Sequence, residues 1–222
     1  MISADVRVFP VELDQPAPVV ARLDALLAVE ERDAPARTRV ARAATRLVLA
    51  DALGIAPADV VISRRCEHCG HPTHGRPVLV AERQLSFSLS HSGAYAVLAC
   101  AEGEMRIGVD VEEVRPRARL AALAARVLND EDQAAWRAIT DPDEQLRVFL
   151  TFWTAKEAYL KALGIGIATR LRDVPAGVEG WFAGALELGP DRIGALAVDR
   201  AVGRVRYVAP GPLVTSSGGT AR

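Results

Sequence analysis

The sequence predicts an α+β fold of two similar lobes, each with helices packed on a small antiparallel sheet. Three observations lead there. Both halves read as helices followed by short alternating strands, an order that builds antiparallel sheets with segregated helices. The 222 residues suffice for two lobes of roughly 100 residues each with a real core. A hydrophobic fraction of 50% with 25% charged residues is that of an ordinary globular chain.

Residues 5–11 alternate polar and apolar positions and predict a strand. A helix is expected over 18–31 and a longer one over 36–53, stopped by Gly54. The second helix carries Arg37, Arg39, Arg42 and Arg46, with the last three on one face and Val40, Leu47 and Leu49 in the buried stripe. Strands follow over 60–63, 78–80, 85–90, 94–100 and 107–114, with Ser92-Gly93 as the turn between the third and fourth. Helical patterns return over 117–128 and up to 139, the latter capped by Asn129-Asp130. Asp141-Pro142 opens a further helix that ends near Gly164. Strands over 181–188, 193–198 and 205–208 close the fold. The expected division is a first lobe over 1–104, a second over 105–209, and a tail over 210–222 whose Gly, Ser and Thr content predicts disorder.

A net charge of −1 gives no global attraction to nucleic acid or an anionic membrane, so phosphate binding must come from a local basic patch. No run of about 18 apolar residues occurs, and no basic segment with an apolar core follows Met1. A cytoplasmic monomer is expected. The three cysteines, Cys66, Cys69 and Cys100, do not suggest a secreted disulfide framework.

Four motifs carry chemistry. In 152–161, Phe-Trp-Thr-Ala-Lys-Glu-Ala-Tyr-Leu-Lys, stand the only lysines, Lys156 and Lys161, in a chain whose other basic residues are arginine. That choice suggests that the compact ammonium itself is wanted. On a helix Trp153, Glu157 and Lys161 recur at i, i+4, i+8, placing an acid beside an amine, whereas Lys156 lies about 100° round the helix from Glu157, so Lys161→Ala is expected to cut turnover strongly and Lys156→Arg to change it mildly. A surface ion pair is the plain alternative for one such pair.

In 107–114, Ile-Gly-Val-Asp-Val-Glu-Glu-Val, strand alternation points Asp110 and Glu112 to one face with Val109 and Val111 behind them. Two carboxylates about 7 Å apart are costly unless something positive lies between them, for which Mg²⁺, taking carboxylates together with phosphate oxygens, is the natural candidate; a solvated strand face is the plain alternative. In 87–93, Phe-Ser-Leu-Ser-His-Ser-Gly, hydroxyls, an imidazole and backbone N–H groups suit a phosphate oxygen. A Ser/His nucleophile is disfavoured, because Ser90 and His91 point to opposite strand faces and no G-x-S-x-G elbow is present. In 66–77, Cys66, Cys69, His71 and His74 could supply four ligands to a small zinc knuckle, and Arg76 follows on a Gly-Arg-Pro turn.

Taken in order, Gly-Arg-Pro, Phe-Ser-Leu-Ser-His-Ser-Gly, Ile-Gly-Val-Asp-Val-Glu and Phe-Trp-Thr-Ala-Lys-Glu-Ala-Tyr-Leu-Lys resemble the phosphopantetheinyl transferases of the surfactin-synthetase-activating (Sfp) type, across about residues 20–200. The resemblance implies lobes related by a pseudo-two-fold with the active site between them. It implies that Asp110, Glu112 and Glu157 hold Mg²⁺, for which Mn²⁺ can substitute, against the pyrophosphate of coenzyme A. Glu157 is also implied as the base for the attacking serine hydroxyl, and Asp110, Glu157 and Lys161 as the catalytic set. Lys161 and His91 would contact coenzyme A phosphates, with Ser90 in the same pocket and Arg76 as a basic phosphate contact. The arginine helix matches the 3′-phosphate and adenine region, with Arg42 the clearest counterpart; Arg32, Arg37 and Arg39 stand in by position.

The activity so implied is Mg²⁺-dependent transfer of the 4′-phosphopantetheine arm from coenzyme A to a serine of an acyl or peptidyl carrier protein. Such carriers serve fatty acid, polyketide or nonribosomal peptide assembly. Two other classes remain: a homologue that binds coenzyme A or a carrier without transfer, and a zinc-dependent nucleic-acid binder. The net charge and the lack of a basic, aromatic-bearing surface weigh against the latter.

Overall fold

The computed structural model describes residues 3–64, 76–165, 169–175 and 178–209. The α+β expectation holds. Strands β1 (Ala4–Glu12), β4 (Leu85–Ser92), β5 (Tyr95–Glu102) and β9 (Val202–Tyr207) form one sheet in the order β4-β5-β1-β9. Strands β6 (Ile107–Glu113), β7 (Phe182–Leu186) and β8 (Arg192–Val198) form a second in the order β6-β8-β7. A ribbon of β2 (Val61–Ser63) and β3 (Val78–Val80) stands apart from both.

The inner faces of the two sheets share a core. Val6 and Val8 of β1 and Val97 and Ala99 of β5 pack with Ile107, Val109 and Val111 of β6 and Leu196 and Val198 of β8. Helices α1 (Ala17–Asp24) and α2 (Ala36–Leu53) cover the outer face of the first sheet, with Val40, Ala44 and Ala96 in one cluster and Leu49, Leu98 and Cys100 in another. Helix α5 (Pro142–Leu163) lies on the outer face of the second, where Ala158 and Ala162 meet Ala195 and Ala197. Helices α3 (Leu120–Val127) and α4 (Asp130–Arg137) pack against α5 through Leu128, Trp136 and Phe149. Alternation along β6 therefore sends Val109 and Val111 into the shared core and turns Gly108 and Asp110 towards α5.

Several elements have plain local causes. Helix α2 ends where Gly54 adopts φ +70, and α5 ends where Gly164 adopts φ +74, a left-handed conformation that favours glycine. The Asp141 carboxylate accepts the free N–H groups of Asp143 and Glu144, and Asn129 accepts that of Asp132. The helix expected through residue 31 stops at Asp24: Leu27 turns into the core, the Glu31 carboxylate accepts the Ala28 N–H, and a separate 3-10 turn forms over Val29–Glu31. Gly108 has a different duty. A Cβ there would stand 1.9 Å from the Ala158 carbonyl oxygen, so only glycine lets α5 lie this close to β6.

Strand β9 departs from the expected division. It pairs parallel with β1, from Val202 beside Ala4 to Tyr207 beside Val8, so the last strand expected of the second lobe completes the sheet of the first. Helix α3 also starts later than expected, after Arg119 at φ +60. No helix among the described residues is long and apolar enough to cross a membrane.

Candidate active site

The site lies where the two sheets meet edge to edge. Strands β4 and β6 share no backbone ladder. Serine hydroxyls bridge them instead: Ser88 Oγ accepts the Val109 N–H at 3.1 Å, Ser90 Oγ that of Val111 at 3.4 Å, and Ser92 Oγ that of Glu113 at 3.2 Å. Each pair is separated by the same sequence interval, so the strands run in parallel register. Edge N–H groups must find acceptors, and alternate serines supply them here. The hydroxyls then hold the carboxylates on β6. Ser90 Oγ donates to Asp110 Oδ1 at 2.7 Å, and Ser92 Oγ donates to Glu112 Oε2 at 2.8 Å.

Asp110 is 5% exposed, and its Oδ1 also accepts from Lys161 Nζ at 2.6 Å. Lys161 Nζ donates to Ser90 Oγ as well, at 2.7 Å. Lys161, Asp110 and Ser90 thus join α5, β6 and β4 at one point. Asp110 Oδ2 is buried with no partner among the described residues. Glu112 Oε2 is shared between Ser92 and the Arg117 guanidinium, which reaches back from the loop after β6. Glu157 is half-buried on α5 and makes no hydrogen bond with a described residue. Burial pushes its carboxyl up, the charge of Asp110 adds to that, Lys161 opposes it, and Glu112 raises it further. Burial likewise pushes Asp110 up, while Lys161 and Ser90 draw it back.

For an acid whose folded pKa is raised, the folded chain holds its proton more tightly than the unfolded chain. The metal-free protein is therefore expected to lose stability as pH rises from the unfolded carboxyl pKa through the folded one. A cation at these acids would oppose that loss. Among the described residues no three Asp, Glu, His or Cys side chains stand ready-grouped as a metal site. The donor chemistry nonetheless suits a hard divalent ion: two carboxylates from one strand face, a third on the facing helix within electrostatic reach, and one buried oxygen still unpartnered.

The remaining sequence candidates are spread more widely. His91 is exposed, on the face of β4 opposite to Ser90. Arg76 Nη1 donates to the Ala162 carbonyl at 3.1 Å, one residue past Lys161, and borders an open cavity of about 680 Å³ with Ser86, Arg106 and Leu163. On and near α2, Arg37 pairs with Asp14, Arg39 with Asp24, and Arg32 donates twice to the Leu27 carbonyl. Arg42 is the less constrained, with Glu31 3.9 Å away. Cys66, Cys69, His71 and His74 lie outside the described residues, and the zinc expectation with them.

Several of these contacts are not visible in the sequence. Ser90, expected against a ligand, uses its donor on Asp110 and its acceptor positions on Lys161 and Val111. Ser92, expected in the turn, ends β4 and holds Glu112, and Arg117 carried no expectation. Arg64 and Arg46 join Arg42 around Glu31; burial and then the Arg42 charge lower the pKa of Arg64. The place of Lys156 bears on stability rather than on the turnover for which Lys156→Arg is expected to be mild. Lys156 is 1% exposed, and its Nζ donates to the Val127 carbonyl at 2.8 Å with Asp132 Oδ2 3.6 Å away. It seals the C-terminal end of α3 against α5.

Comparison with known proteins bears on residues 106–191, which match the model of the 4'-phosphopantetheinyl transferase superfamily. The 4'-phosphopantetheinyl transferase HetI of Nostoc sp. is 33% identical over 181 residues, covering 76% of this chain and 72% of that protein. The 4'-phosphopantetheinyl transferase AcpT of Escherichia coli K12 is 43% identical over 91 residues, covering 40% of this chain and 45% of AcpT. The human L-aminoadipate-semialdehyde dehydrogenase-phosphopantetheinyl transferase is 31% identical over 108 residues, covering 44% of this chain and 35% of its own length.

Proposed function

The chain belongs to the 4'-phosphopantetheinyl transferase superfamily, and from that premise we propose that it moves the 4′-phosphopantetheine arm of coenzyme A to a serine of an acyl or peptidyl carrier protein. The observation that carries the proposal is the meeting of Lys161, Asp110 and Ser90, with Glu157 one helical turn from Lys161. Asp110, Glu157 and Lys161 lie within the segment that matches the family, and Ser90 reaches them from β4, ahead of it. The Sfp type, a cytoplasmic monomer and holo-acyl-carrier-protein synthase activity belong to the same proposal.

In the reaction, the serine oxygen bonds to the phosphorus that carries pantetheine and the bridging P–O bond breaks. Adenosine 3′,5′-bisphosphate leaves, and the serine proton passes to a base. Glu157 is the proposed base. It stands half-buried one helical turn from Lys161, with no hydrogen bond to a described residue to occupy its acceptor oxygens. Asp110, Glu112 and Glu157 would hold Mg²⁺, which supplies neutralisation of the pyrophosphate charge. Lys161 offers a compact charge for a phosphate oxygen while Asp110 and Ser90 fix its position. His91, on the exposed side of β4, is a further phosphate contact in this reading. Mass spectrometry of a carrier protein incubated with coenzyme A and Mg²⁺ tests the proposal. One phosphopantetheine should appear on one serine, be abolished by a chelator and be partly restored by Mn²⁺; an unmodified carrier across a panel of carriers would contradict it.

Arg42, with Arg46 and Arg64 beside it, is the proposed reader of the 3′-phosphate. Coenzyme A lacking that phosphate should bind less tightly, and Arg42→Ala should narrow the difference between the two ligands in calorimetry. Equal weakening of both by Arg42→Ala would remove this role while leaving the family membership untouched.

A further inference from the structure

Each carboxylate on β6 that faces the site carries a cation of its own. Asp110 has Lys161, and Glu112 has Arg117. Glu112 Oε2, the oxygen held by Ser92 at 2.8 Å, is also the oxygen that Arg117 Nη2 engages. Both side chains are largely shielded, at 22% and 19% exposure, and Arg117 Nε is buried with no partner among the described residues. The guanidinium is therefore committed to Glu112 through one nitrogen alone. It approaches from a segment outside regular structure, between β6 and the left-handed Arg119 that precedes α3.

We propose that Arg117 is a positioning residue that holds Glu112 in the metal-free protein and must give way when a divalent cation takes that carboxylate, so that it sets the metal affinity of the site. The inference rests on the metal role given above to Asp110, Glu112 and Glu157. Its physical basis is charge. Without a cation, the charge of Glu112 acts on Asp110 and on Glu157, and that of Asp110 on Glu157. Arg117 offsets part of that repulsion. Were Glu112 to hold a divalent ion, the Arg117 guanidinium would compete for the carboxylate and stand beside it as a like charge. Ser92 stays on Glu112 in either case, because its hydroxyl comes from β4 and is also anchored by the Glu113 N–H.

Arg117→Ala removes both the competition and the repulsion. Calorimetric titration of the metal-free full chain with Mg²⁺ or Mn²⁺ should show binding about tenfold tighter than in the wild type, the scale expected for one unit charge removed at short range in a partly shielded site. The metal-free variant should also melt at a lower temperature, and saturating metal should raise its melting temperature by more than it raises that of the wild type. Arg117→Lys, which keeps the charge, should stay within a few-fold of wild-type affinity. If Arg117→Ala does not fold, Arg117→Gln serves in its place with the same expectation. Unchanged or weaker metal binding in a folded charge-removing variant overturns the inference. Asp110→Asn separates that outcome from a failure of the metal reading itself: if it binds metal as well as the wild type, the site assignment is wrong, whereas if it binds none and Arg117→Ala is neutral, only the role of Arg117 is wrong.

Discussion

Asp110→Asn is expected to lower phosphopantetheine transfer at least ~10²-fold, the scale of losing one preorganised electrostatic group, without lowering the melting temperature of the metal-free protein. The two halves of that result have separate causes. Asparagine keeps the volume and one acceptor oxygen for Lys161 and Ser90, so the join between β4, β6 and α5 survives. It removes a charge that burial already disfavours, so folding has little to lose. What disappears is the anionic Oδ2, the buried oxygen with no protein partner among the described residues. Activity lost together with stability would point to a structural aspartate, and retained activity would end its catalytic assignment.

Lys156→Met should destabilise the fold by about 3 kcal/mol, the lower end of what breaking a buried ion pair costs. The ammonium at 1% exposure satisfies the Val127 carbonyl, at the end of α3 where helix carbonyls lack internal partners, and it balances Asp132 on α4. Methionine fills the space but leaves both groups uncompensated. Lys156→Arg should also destabilise, by about 1–3 kcal/mol, because a larger planar group must enter a sealed site. Urea unfolding checks the values. Lys161→Met should weigh the other way, with transfer strongly reduced and a smaller loss of stability, since its side chain is about one-third exposed and the Asp110 it leaves keeps the Ser90 hydroxyl and can take up a proton. Similar stability losses from Lys156→Met and Lys161→Met would contradict the separation of roles.

Much of this was readable along the chain because it depends on local periodicity. The pairing of Asp110 with Glu112 on one face follows from strand alternation, and the facing of Glu157 and Lys161 follows from the helical repeat. The ends of α2 and α5 follow from Gly54, Asp141 and Gly164. What escaped depends on contacts distant in sequence. Nothing in the alternation of residues 202–207 says that they will pair with β1 rather than β8. The serines of β4 looked like phosphate donors because their hydroxyls were assumed free; the arrival of β6 commits Ser90 and Ser92 to its amides and carboxylates. A helical repeat separates Lys156 from Glu157 but cannot reveal that α3 ends against it. Arg39 stood in for a phosphate contact by position, and nothing along the chain reveals that Asp24 on α1 takes its guanidinium.

The central claim is that Asp110, Glu112 and Glu157 together form one divalent cation site. Electron paramagnetic resonance of Mn²⁺ titrated into the full chain with coenzyme A present tests it directly. The expected result is one bound ion per chain, lost in Asp110→Asn and Glu157→Gln. It should be retained in Glu113→Gln, whose parent carboxylate turns away to the Ala94 N–H at the β4–β5 turn. No bound ion in the wild type, or equal loss from Glu113→Gln and Asp110→Asn, would contradict the account.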